Sequence, residues 1–287
     1  MTTAGRSATI RTAARPRRRR TRWQTALGVL LTALMLFPVY WMVNVSLTRT
    51  EDMRADPPQW FPWDPTLEGY GNVLRDQLPA MTTSLGIGLG CVALTLAVSA
   101  PAAFALAKLR PWGAGPLSFL LLVVQMIPSV VMAIGFYAVY VRLGWLNTVW
   151  GLILADSTIA VPFGVLVLTS FMAGVPGELL QAARIDGAGR WRTFVSVILP
   201  LSRNALLTVS LFAFLWAWSD FIFASTLSRN ADAVPVTLGI YAYIGNNTTQ
   251  WNSIMATAVV ASVPAAVLLV VAQRFVAGGV VAGAVKD

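Results

Sequence analysis

Asp156 and Asp220 have the strongest claim on chemistry, because each carboxylate sits inside a long apolar stretch. An ionised group at such a position costs about 3 kcal/mol on insertion scales, so it faces a cavity or a partner. There it hydrogen-bonds a polar solute, carries a proton, makes a structural contact between helices, or lies close to the water interface. Asp156 is followed by Ser157 and Thr158, and Asp220 stands in W-A-W-S-D-F, whose aromatic residues suit an interfacial depth. Other chemistries are excluded by composition. The chain has no histidine and a single cysteine, Cys91, within an apolar run. Imidazole bases, Ser-His-Asp triads, histidine metal sites and internal disulfides are therefore absent. No G-x-x-x-x-G-K-[ST] occurs, so the chain has no phosphate-binding loop for ATP. If ATP supplies energy, another chain hydrolyses it.

A second candidate is a surface rather than a reactive group. Gln181 to Pro200 reads Q-A-A-R-I-D-G-A-G-R-W-R-T-F-V-S-V-I-L-P, a polar, arginine-bearing segment between apolar spans. Pro176 and Glu178 suit the first turn of a helix. Leu179, Leu180, Ala182 and Ala183 give that helix an apolar face of partly small side chains. Asp186 and Gly187 break it, because glycine supplies the backbone freedom of a sharp turn. Trp191, Phe194, Val195 and Ile198 line a second helix, which Pro200 ends. The pattern is a short helix-turn-helix. Amphipathic character alone allows an interfacial element, whereas the small residues Ala182, Ala183, Gly187 and Ala188 favour close approach by another protein.

These groups need elements to hold them, and composition says which. Of 287 residues 56% are hydrophobic and 11% charged, where soluble domains carry about 25% charged residues. Apolar runs reach the ~20 residues that cross a bilayer as a helix. Six spans are expected, near 25–47, 82–106, 117–141, 149–173, 204–227 and 254–273, with the helix-turn-helix in loop 174–203 between the fourth and fifth. Pro38, Pro101, Pro128, Gly135, Pro162 and Pro264 fall inside spans, where proline bends helices around a pathway or is simply packed among neighbours. Sixteen of the 21 Lys and Arg fall on one set of alternate connections, comprising the tail 1–22, turn 107–116, loop 174–203 and the C-terminal segment. The positive-inside bias places these, and both termini, in the cytoplasm. The net charge of +9 then reflects membrane orientation rather than nucleic-acid binding, and the tail's arginines touch anionic lipid. The tail itself lacks apolar periodicity and reads as disordered. The opposite loop 48–81 is acidic and carries Trp60, Phe61 and Trp63, which dock a partner or mark an aromatic belt.

The segment 181–200 closely resembles the signature E-A-A-x-x-D-G-A-x-x-x-x-x-F-x-x-I-x-L-P of ABC importer permeases, the binding-protein-dependent inner-membrane components. Ala182, Ala183, Asp186, Gly187, Ala188, Phe194, Leu199 and Pro200 fall in place, Ile198 stands one position past the signature's Ile, and Gln181 stands where the signature has Glu. T-L-E-G-Y at Thr66–Tyr70, W-S-D-F at Trp218–Phe221, P-V-T-L-G at Pro235–Gly239 and the pattern Gln273–Lys286 are similar to the carbohydrate branch, of the maltose and glycerol-phosphate type. The resemblance implies an all-α polytopic permease domain over 23–287 in the bacterial inner membrane. It also implies a second permease subunit, a dimer of P-loop ATPase subunits that binds ATP and Mg, an extracytoplasmic solute-binding protein and a sugar substrate. Residues 178–195, with Gln181, Ala182, Ala183, Asp186, Gly187 and Ala188 at their centre, would couple to the ATPase; Asp156 and Asp220 would lie on the solute path. The chain would itself be no enzyme. The alternatives are a proton-coupled secondary transporter using Asp156 and Asp220, or a permease of the same superfamily for amino acids, peptides or ions.

Overall fold

The computed structural model describes residues 22–54, 57–109, 111–228, 233–246 and 250–284; of the side chains beyond Gln273 nothing is described. The arginine tail 1–22 thus falls, but for Arg22, outside the described residues, as do the side chains of the C-terminal pattern past Gln273. Among the described residues every regular element is a helix. Four helices are long and apolar enough to cross a membrane, and the number rises to six if each of two bent pairs counts as one crossing. This is the all-α polytopic class expected.

The chain divides into two units, Met1–Trp41 and Met42–Asp287. The first consists of most of α1 (Arg22–Leu47), which contains Pro38. Within it the Thr32 hydroxyl donates to the Gly28 carbonyl at 2.8 Å, which hides one polar group along an apolar helix.

In the second unit, α2 (Glu68–Asn72), a π-helical turn (Val73–Gln77), α3 (Leu78–Phe104) and a second π-helical turn (Ala105–Leu109) follow without a break. The helical path therefore runs 42 residues, well beyond the expected 82–106. Part of the acidic loop is helix because Glu68 opens a first turn and Pro79 sits where a missing N–H costs nothing. The expected third span is two helices, α4 (Ala114–Val124) and α5 (Ser129–Leu143), bent by 95°. Pro128 is the cause. It is extended (ψ 134°), and its ring disfavours helical backbone at Ile127. By contrast α6 (Val149–Ala173) matches the expected fourth span and absorbs Pro162 without breaking.

The segment after α6 holds α7 (Gly177–Ile185), α8 (Arg190–Thr193), a π-helical turn (Phe194–Ile198) and α9 (Leu199–Leu201). A 77° bend separates Arg190–Leu201 from α10 (Arg203–Ser219). The expected span 204–227 is interrupted at Asp220 and Phe221, after which α11 (Ile222–Leu227) begins. Within the expected loop 228–253 lies a helix that the sequence reading omitted, α12 (Val236–Asn246). Finally α13 (Trp251–Ala284) outruns the expected 254–273 and contains Pro264.

Small residues let α3, α6 and α10 approach one another closely. A Cβ on Gly88 would meet the Phe214 ring at 2.8 Å, and one on Gly164 would meet both Ser99 and Val209. One buried cluster gathers Ile87, Cys91, Tyr140, Leu152, Ala213 and Phe223 from α3, α5, α6, α10 and α11. Another gathers Phe104, Leu168, Met172, Phe194, Ile198 and Val209, where segment 174–203 meets the helix ends. The two clusters underlie the two candidate sites.

Candidate functional site

The Q-A-A-R-I-D-G-A sequence folds as a helix with a defined stop. Gly187 has φ +77°, the left-handed conformation that glycine adopts without steric cost. The Ala188 N–H donates to the Ala183 carbonyl at 2.8 Å, and the Gly187 N–H to the Arg184 carbonyl at 3.0 Å. These six-to-one and five-to-two bonds define a Schellman motif, which satisfies carbonyls that a helix end otherwise leaves orphaned. The D-G-A triplet is thus a C-cap, with Asp186 as the last helical junction, Gly187 as the turn and Ala188 returning to Ala183. The spacing of the signature has a physical origin in this cap.

The motif orients α7. Ala183 is buried, and Leu180 is half-buried against the Phe104–Met172–Phe194 cluster. The opposite stripe of Leu179, Ala182 and Ile185 faces outward, with Ile185 86% exposed. The four-residue apolar face expected from sequence therefore divides into an anchoring half and a presented half. Gln181, Asp186 and Gly187 flank the presented half and are also exposed. Past the turn, Phe194 and Ile198 are buried as expected, while Trp191 is 71% exposed. Its ring leans on Phe194 at 5.3 Å, and Phe194 in turn packs on Phe104 at 5.2 Å. Ile185 and Trp191 are thus large apolar side chains left exposed on either side of the turn, with Arg184, Arg190 and Arg192 exposed next to them in the chain, residue types that protein-docking surfaces favour.

The acids occupy a separate place. Asp156 on α6 is 5% exposed and makes no hydrogen bond with the described residues. Asp220 is only half-buried, and its carboxylate has local work. Its Oδ1 accepts from the Phe223 N–H at 3.3 Å and its Oδ2 from the Ala224 N–H at 2.9 Å. Those are free donors at the start of α11, so Asp220 caps that helix. Replacing it by Asn, which keeps one acceptor, is expected to leave thermal unfolding in detergent near wild type, and Asp220→Ala to cost about 1 kcal/mol. A drop in uptake for a stable Asp220→Asn would instead assign the charge a role of its own. Among the described residues no group of three or more His, Cys, Asp or Glu side chains could hold a metal ion.

An all-helical chain with several apolar spans and a capped, outward-facing helix between two of them is of the class of membrane transport permeases. The chain belongs to the family of binding-protein-dependent transport system inner membrane components, whose model matches residues 96–281. It is 30% identical to the diacetylchitobiose uptake system permease protein DasC of Streptomyces coelicolor over 92% of this chain and 96% of that one. It is 33% identical to the sulfoquinovosyl glycerol transport system permease protein SmoH of Agrobacterium fabrum over 88% and 89%. With the trehalose transport system permease protein SugB of Mycobacterium tuberculosis it shares 31% identity over 94% and 98%. The fold is that of a bacterial ABC transporter involved in the import of the acidic polysaccharide alginate, with a TM-score of 0.74, 20% identity, and coverage of 88% of this chain and 98% of that one. The family resemblance expected from residues 181–200 therefore holds.

Sequence reasoning found the helix-turn-helix in segment 174–203 but not how it is held. Lys108 entered only as part of the charge bias. Its partners, the carbonyls of Ala173 and Val175, are 65 and 67 residues away, a separation at which no local pattern signals contact.

Proposed function

We propose that this chain is one half of the translocation path of an ATP-driven sugar importer of the bacterial cytoplasmic membrane, with six crossings and both termini cytoplasmic. A second permease subunit completes the path. A dimer of P-loop ATPase subunits binds ATP and Mg, and an extracytoplasmic binding protein delivers the solute. The observation that carries the reading is the Schellman-capped α7, anchored through Ala183 and Leu180 and presenting Leu179, Ala182, Ile185 and Asp186 outward. Closure of the ATPase dimer moves this docked element, and the membrane helices pass between two states in response. Gln181, Ala182, Ala183, Asp186, Gly187 and Ala188 form the coupling site. Support for a sugar comes from the relatives, whose names specify diacetylchitobiose, sulfoquinovosyl glycerol and trehalose.

Asp156 and Asp220 belong to the solute path in a restricted sense. Asp156 is enclosed by this chain's own helices, so it reaches solute only in a state in which they part. Asp220 reaches it only by sharing a carboxylate already engaged with α11.

The test is recovery of this chain from detergent-solubilised native membranes, with identification of what accompanies it. A second permease and a P-loop ATPase are expected, with the ATPase lost when Ile185 is replaced by Asp. That exchange puts a charge where about 2 kcal/mol of apolar burial is expected on docking. Recovery of the chain alone, or undiminished ATPase with Ile185→Asp, would overturn the docking assignment.

A further inference from the structure

The connection between α6 and α7 is short and weak by composition. Gly174, Val175 and Pro176 join the last residue of α6 to the first of α7. Glycine there offers backbone freedom, and a link of this kind absorbs displacement as a hinge. If α7 is pushed by a docked partner, motion is lost at this link unless something bridges it.

Lys108 bridges it. The residue lies in the π-helical turn Ala105–Leu109 that closes the long α3 path. Its Nζ donates to the Val175 carbonyl at 2.6 Å and to the Ala173 carbonyl at 3.3 Å. Ala173 ends α6, and Val175 directly precedes Pro176, the N-cap of α7. The final carbonyls of a helix have no intrahelical donors, and a cation there also suits the helix dipole. One ammonium therefore ties three things together: the end of α3, the end of α6 and the start of the segment leading to α7. A compact ammonium on a flexible stem carries three donors and so serves two divergent carbonyls. Lys108 is one of only two lysines among 21 basic residues. The same end of α3 meets the far side of the coupling segment through the Phe104–Phe194 ring contact at 5.2 Å. The segment is thus held to α3 on both sides of α7.

We infer that Lys108 is a positioning residue for coupling, clamping the Gly174–Pro176 link so that displacement of α7 is passed to α3 and α6. This inference rests on the reading of α7 as the ATPase-docking helix. Lys108 touches neither solute nor nucleotide; it acts through the carbonyls that it holds.

The experiment uses the complete transporter with its binding protein in proteoliposomes, with solute uptake and ATP hydrolysis measured together. Lys108→Met keeps the apolar stem and removes the donors. It is expected to lower the number of solutes moved per ATP by about tenfold or more, the scale of one lost charge-assisted hydrogen bond. Lys108→Arg restores donors and is expected to recover most of that ratio, which a purely space-filling role would not require. If the Met variant fails to assemble, Lys108→Gln carries the measurement, since its neutral amide on a shorter stem cannot hold both carbonyls, and solutes moved per ATP should fall there too. Wild-type solutes per ATP in Lys108→Met, or equal loss in Met and Arg variants, would overturn the inference. Gly187→Pro in the same assay separates the two readings. If it is inactive while Lys108→Met is normal, only the clamp fails; if it too transports normally, the coupling reading fails first.

Discussion

Gly187→Pro is expected to abolish solute uptake while the chain still reaches the membrane. Gly187 sits at φ +77° and its N–H donates to the Arg184 carbonyl at 3.0 Å. Proline fixes φ near −65° and has no N–H, so both requirements of the cap fail together, at a cost of about 3 kcal/mol or more. The damage falls on the turn that returns Ala188 to Ala183, and hence on the angle between α7 and the α8 segment that follows it. Two milder replacements decide between a cap that only folds and a surface that also docks. No atom lies within 4 Å of where a Cβ on Gly187 would stand, so inside this chain any side chain fits. If conformation alone matters, Gly187→Asn outperforms Gly187→Ala, because Asn tolerates the left-handed region and Ala pays roughly 1–2 kcal/mol for it. If a partner seats on the turn, the order inverts, because Asn projects further into the contact. Uptake in membrane vesicles, normalised to the amount of this chain present, reads the order. The docking reading expects Ala above Asn and Pro without activity. Substantial transport in Gly187→Pro would remove the turn from the mechanism.

The capped turn after α7 was legible in sequence because its physics is local. A glycine after an aspartate, with an alanine on each side of the break, specifies a C-cap within six residues. Span 149–173 was equally legible, because nothing within it outweighed its apolar length. Where the reading departed from the structure, one residue had two meanings. Pro128 was visible as a kink, yet it ends one helix and starts another at 95°, since neighbouring residues satisfy the backbone freed there. Asp220 was read as an intramembrane acid, although an aspartate just before I-F-A-S-T-L is also a helix-start signal, and the structure uses it as one. The helices α2 and α12 were missed because elements of five and eleven residues are too short for a criterion based on crossing a bilayer. Lys108 was out of reach for a different reason. Its role depends on which helix ends meet, and only the packing of α3 on α6 settles that.

That packing supports the other large expected effect, the destabilisation of the second unit by Gly164→Leu. A Cβ on Gly164 would stand 2.9 Å from Ser99 Oγ, 3.0 Å from Ser99 Cβ and 3.0 Å from Val209 Cγ1. Three helices, α3, α6 and α10, therefore converge on a point with no room for a side chain. In a bilayer, where lipid is as apolar as leucine, such close approach is itself the main source of helix association. Leucine at this point forces α6 away from α3 and α10, and overpacking of this kind costs about 1–3 kcal/mol or more. Gly86 on α3 has open space at its Cβ position, so Gly86→Leu serves as the matched control. Thermal unfolding in detergent should fall by several degrees for Gly164→Leu and stay near wild type for Gly86→Leu. Because Val209 is a direct neighbour, Val209→Ala combined with Gly164→Leu should be less damaging than the sum of the two, a coupling that distant sites do not show. Equal unfolding temperatures for the two leucine variants would mean that α3 and α6 are not held rigidly together at this level. The clamp at Lys108 would then have no stiff pair of helices to act on, because motion delivered to the ends of α3 and α6 travels along them only while Gly164 keeps them in contact.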